Sequence, residues 1–210
     1  NQKMIEQIQW LGNGSFLIRP EAPAVSPLIY INPWRITRAD RHADILLISS
    51  ERFDRCSLAD IQKVRSDHTH VIVSERAADQ LPGSTVLRAW QSLNLPGLCV
   101  KAIPAYDPRT KLDAGIGFVI SMQFYDIYYA GDSGLIPEMA RLRPDIALLP
   151  IDGDGTLNPA DAVSAAKTLG ARWVVPYNWG GQGATRLDAV NVARDLNGLA
   201  ETIVLQPPPK

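Results

Sequence analysis

The chain has 210 residues, enough for one domain with its own core, and its 46% hydrophobic and 20% charged content is that of an ordinary globular protein. Twenty-one basic against 22 acidic side chains leave a formal charge of −1, so no global field favours nucleic acid or an anionic membrane. No apolar run approaches a bilayer span, the first nine residues do not resemble a signal peptide, and two cysteines are too few for a disulfide framework; a cytoplasmic protein is expected.

In chain order, residues 5–11 alternate as a strand, and Gly12-Asn13-Gly14 supplies a hairpin turn before a second strand at 16–18. A third strand at 28–31 closes on Asn32-Pro33-Trp34, and the charged connector 35–44 leads to a fourth at 45–48, so the first quarter reads as a β-meander. Ser57 is a good N-cap, with Asp60 three residues on, for a short helix. Strands follow at 70–73, 99–103, 116–122 and 125–130, with a short helix at 77–79 and weak patterning over 86–98. From residue 135 strands and helices alternate: a helix at 136–142, an apolar strand at 146–151 and a helix from the Asn158-Pro159 cap to about 169. A strand at 173–176, a helix at 187–196 and a last strand at 202–205 complete the pattern. The prolines at 207–209 are expected to fray.

Residues 44–60 organise the chain: an apolar run at 45–48 breaks into a polar turn, 49–57, which opens a helix. This is how a buried strand delivers functional side chains to a sheet edge. The turn resembles the T-H-x-H-x-D-H motif of the metallo-β-lactamase superfamily. Asp54 matches its aspartate, while the three histidine positions read Ser50, Arg52 and Arg55. Further stretches between Trp10 and Gly180 are similar in order and spacing to the branch of small zinc hydrolases related to the ascorbate-6-phosphate lactonases, with Asp132 in a Gly-Asp turn. The resemblance implies a four-layer αββα sandwich, of α/β class, formed by residues 1–210 as one domain.

The departures from the family are systematic. Asn13, Asn32 and Asn178 stand where relatives carry histidine, aspartate and histidine, and Tyr106 or Asp107 stands nearest a further histidine position. Zinc sites are built mainly from nitrogen and sulfur donors, and the chain's histidines, His42, His68 and His70, fall away from the implied site. The expectation is therefore a degenerate member with no metal cofactor and no zinc-dependent hydrolysis, retaining Asp54 and Asp132 as a vestige neutralised by Arg52 and Arg55. Two alternatives stand beside it. One is a hydrolase acting on a small phosphorylated, lactone or ester metabolite through an altered site. The other is a module binding an anionic metabolite with Asn13, Ser50, Arg52, Arg55, Tyr106 and Asn178. Cys56 lacks an activating histidine, Asp152-Gly153-Asp154-Gly155 reads as a turn, and Trp10, Trp34, Trp173 and Trp179 fall near strand ends, where core packing is their first role. No nucleic-acid or membrane partner is expected, and homo-oligomerisation is left open.

Overall fold

The computed structural model describes residues 3–21 and 26–209. A six-stranded sheet holds, side by side in chain order, β1 (Ile8–Gly12), β2 (Ser15–Ile18), β3 (Ile29–Ile31), β4 (Ile45–Ile48), β5 (His70–Val73) and β6 (Thr85–Val86). The second sheet holds β7 (Ser92–Leu95), β8 (Leu98–Tyr106), β9 (Asp113–Met122), β10 (Tyr125–Tyr129), β11 (Ile146–Pro150), β12 (Trp173–Tyr177) and β13 (Glu201–Thr202), again in chain order. Each sheet opens antiparallel and continues parallel, the change coming after β3 in one and after β10 in the other. The meander expected of the first quarter therefore ends at β3. Ile29 pairs with Ile45 in a parallel register, and the connector crosses over to make it. Strand direction is set by that connection, which local patterning does not encode.

The two sheets pack face to face, with one layer of helix outside each. Along β4 the side chains divide accordingly: Ile45 and Leu47 enter the core between the sheets, while Leu46 and Ile48 lie under α1 (Leu58–Val64). On the far side, Ala162, Ala165, Ala189 and Val192 of α2 (Pro159–Leu169) and α3 (Arg186–Asp195) cover Ala147, Leu149 and Val174. The result is the four-layer αββα sandwich, an α/β fold.

Local chemistry fixes the helix ends. The Ser57 hydroxyl accepts from the Asp60 amide at 3.4 Å, and the Asn158 side chain accepts from the Asp161 amide at 2.8 Å, ahead of Pro159 at N1. Residues 136–142 form only a 3₁₀ turn, Pro137–Arg141, and the last strand is cut to Glu201–Thr202 at the sheet edge. Residues 5–11 split into a 3₁₀ turn, Met4–Gln7, and β1. Among the described residues no helix is long and apolar enough to cross a membrane. Because β3, β4, β8, β10 and β12 run the same way within their sheets, the loops leaving them gather at one edge of the sandwich. The β1–β2 turn reaches the same edge from the antiparallel strands.

Candidate functional site

At that edge the centre is a buried ion-pair network. Arg55 is 1% exposed in its side chain, and its fork meets Asp132 through Nε, which donates at 3.2 and 3.1 Å to the two carboxylate oxygens, and Nη2, which donates at 2.7 Å. Its Nη1 donates to Asp54 Oδ2 at 3.2 Å, and the Asn13 amide donates to the same oxygen at 3.0 Å. Burial alone would lower the Arg55 pKa, but Asp132, Tyr129 and Asp54 around it outweigh that and raise it above its ordinary value. The guanidinium is a permanent cation here. Arg52, half exposed, lies over both carboxylates, its Nε 3.4 Å from Asp54 Oδ1 and its Nη1 3.7 Å from Asp132 Oδ2. Asp54 Oδ1 and the hydroxyl of the buried Ser50 have no hydrogen-bond partner.

The surrounding elements hold this network in place. Arg55 follows a tight turn in which the Arg55 and Cys56 amides donate to the Arg52 carbonyl at 2.9 and 2.7 Å. The hairpin turn supplies Gly14, where an added Cβ would lie 2.7 Å from Arg55 Cζ; only glycine leaves room for the guanidinium. Asn13 beside it adopts φ 51°, and the Trp10 indole donates to the Asn13 carbonyl at 2.8 Å, pinning the turn. Beneath lies a second network. The Asn32 amide donates to Ser49 Oγ at 2.8 Å and to the Tyr129 hydroxyl at 3.0 Å, and that hydroxyl donates to the Gly14 carbonyl at 2.9 Å. Tyr129 stacks on Tyr177, whose hydroxyl donates to the Gly131 carbonyl at 2.7 Å. So the loop carrying Asp132 and the turn carrying Gly14 are tied through two tyrosines.

Asn13, Arg52, Asp54, Arg55 and Asp132 meet in this network, while Ser50 lies buried beside Gly115. Asn178 reaches the edge, with φ 65°, and its amide donates to Asp152 Oδ1 at 3.2 Å. Asp152 is the member that sequence reasoning missed, having been read as part of a glycine turn. Burial raises its pKa, against the hydrogen bonds from Thr156 and Asn178. Tyr106 is turned away: its hydroxyl donates to Glu138 at 2.9 Å and does not join the aspartates. Asp107 is held by the Arg109 amide and Nε at 2.9 and 3.1 Å. Trp173 begins β12 at the opposite end, packed on Tyr125, and His70 sits at that same opposite end against Thr85. Burial, helped by Glu51, pushes the Cys56 thiol up, which keeps it protonated and inert.

A cavity of about 450 Å³ opens beside the network. Asn13, Asp54 and Asn178 line it together with Trp10, Trp34, Arg35, Phe53 and Trp179. Of these, Arg35 and Phe53 had no signal in the sequence: one began a charged connector and the other sat between two charged residues.

The profile of the family described as Beta-lactamase superfamily domain matches residues 7–178. A metal-dependent hydrolase of Thermococcus kodakarensis is 24% identical over 220 residues, covering 96% of each chain, and one of Caldivirga maquilingensis is 27% identical, covering 82% of this chain and 81% of its own. Among solved structures, Igni18, a metallo hydrolase of Ignicoccus hospitalis, superposes with a TM-score of 0.78 at 22% identity, covering 96% of this chain and 95% of its own. The names of these relatives point to a metal cofactor and overturn the expectation that none belongs to such a protein. The side chains gathered here do not fit such an ion. Among the described residues no three His, Cys, Asp or Glu converge on one point, and the carboxylates of Asp54 and Asp132 are already bridged by Arg55.

Proposed function

The chain is a member of the β-lactamase superfamily, and from that premise we propose that it binds a small anionic metabolite at the edge where Asp54 and Asp132 meet. The observation that carries this reading is the division of labour between two arginines. Arg55 is buried and fully engaged, so its work is to hold the two aspartates and the hairpin turn. Arg52 is half exposed, and its contacts of 3.4 and 3.7 Å leave its fork free to turn to a carboxylate or phosphate. Asp54 and Asp132 then act as positioning groups for guanidinium ions. A hydrolase acting on a small phosphorylated, lactone or ester metabolite is the competing reading, favoured by the names of the relatives.

Calorimetric titration with inorganic phosphate and glucose 6-phosphate, in EDTA and again with added zinc or manganese, separates the two. Binding in EDTA that weakens at least tenfold in Arg52→Gln, about 1.4 kcal/mol, is the expected result. Absence of binding under both conditions would sink the proposal. Metal-requiring turnover of a lactone or phosphoester, lost in Asp54→Asn and Asp132→Asn, would establish the hydrolase instead.

A further inference from the structure

The cavity beside the network is walled unlike a site for a bare polar anion. Trp34 and Phe53 meet edge to face at 5.5 Å, and Trp10 and Trp179 meet at 4.7 Å, so two aromatic pairs border one space of about 450 Å³. That volume suits a small organic ligand. Phe53 is 73% exposed, immediately before Asp54 in the chain. A lone exposed phenylalanine carries no message; one that completes an aromatic wall offers apolar area that a flat ligand would take out of water.

A cation is placed at the same wall. Arg35 lies with its guanidinium carbon 5.5 Å from the centre of the Trp34 ring and, among the described residues, has no carboxylate partner. Its backbone takes φ 54°, which a side chain with a Cβ adopts only when the surroundings impose it. Here the surroundings do so: the buried Asp60 of α1 accepts from the Arg35 and Ile36 amides at 2.9 Å each, and Lys63 Nζ donates to the Ile36 carbonyl at 2.7 Å. The fold thus holds a strained arginine and its tryptophan at the mouth of an aromatic cavity.

We propose that the ligand is an aryl anion: a flat apolar ring lodged among Trp34, Phe53 and Trp179, with its phosphate or carboxylate drawn to Arg35, which lines the same space. This rests on the anion-binding reading above and adds the class of molecule that the cleft prefers.

The test titrates phenyl phosphate, inorganic phosphate and glucose 6-phosphate into the full chain in EDTA, by calorimetry and tryptophan fluorescence. Phenyl phosphate is expected to bind at least tenfold tighter than either of the others and to change the tryptophan emission. Phe53→Ala, which alters an exposed side chain, is expected to remove that preference. Arg35→Gln is expected to weaken phenyl phosphate at least fivefold, with an unchanged melting temperature showing that the loop is intact. Equal affinity for all three ligands, or a preference that survives Phe53→Ala, overturns the aryl proposal and leaves the anion site standing. If none of the three binds, both fall together.

Discussion

The guanidinium of Arg55 does at one residue what several weaker contacts would otherwise share. All three of its nitrogens donate to two carboxylates, and it stays charged at every pH the fold survives. Removing it leaves the buried Asp132 with only the half-exposed Arg52 at 3.7 Å, so Arg55→Ala should cost about 3–5 kcal/mol in urea denaturation. Arg55→Lys keeps the charge but not the fork, and should recover only part of that. Gly14→Ala should cost on the order of 1–3 kcal/mol, because its Cβ would overlap the guanidinium. In the Arg55→Ala background that second penalty should largely vanish, since the atom it strikes is gone; a double-mutant cycle reads the difference. The motif at 49–57 made Arg52, Asp54 and Arg55 legible as one cluster. It could not say which arginine would be buried, because Gly14, more than 40 positions away, decides that.

At the scale of the element, α1 is short and matters chiefly for the acid it delivers. Ser57 and Asp60 are recognisable as a cap because the pairing is local, three residues apart. That Asp60 also grips the loop at 35–36 is not, since nothing near it in sequence signals the contact. Burial would raise the Asp60 pKa, but hydrogen bonds from Ser57, the two backbone amides and Lys63 prevail and lower it. A carboxyl lowered on folding contributes stability that is complete above its unfolded pKa of about 3.9 and is lost as pH falls through the folded value. Asp60→Ala should therefore destabilise the protein by about 1–3 kcal/mol at pH 7, and the gap from wild type should close below about pH 4. Thermal melts across pH 3–7 check both statements. The Asn158 cap was legible for the same local reason as Ser57. Tyr106 lay beyond the strand expected at 99–103; β8 extends to it, and its hydroxyl's partner Glu138 lies 32 residues on.

For the whole molecule, apolar runs made many strands readable and the family resemblance implied their stacking in a sandwich, whereas the parallel halves depend on crossovers that no single window of sequence contains. Tyr129 and Tyr177 lie in the core between those sheets, and Tyr129 donates across to the Gly14 carbonyl. Burial raises the pKa of Tyr128, Tyr129 and Tyr177, and Tyr129 is pushed up to about 12. A phenol raised on folding gives stability that is complete below its unfolded value of about 10 and fades as pH climbs through the folded one. Absorbance at 295 nm should accordingly show these three ionising together with loss of near-ultraviolet circular dichroism between about pH 10 and 12, not in a separate earlier step. Arg55 and Asp132 lie 77 residues apart, on loops that leave different sheets. We predict that such a bond closes late in assembly, after both halves have condensed. We predict that Arg55→Lys speeds unfolding in stopped-flow measurements while refolding keeps nearly its wild-type rate. The ion pair that ties the two halves together then also sets the lifetime of the folded chain.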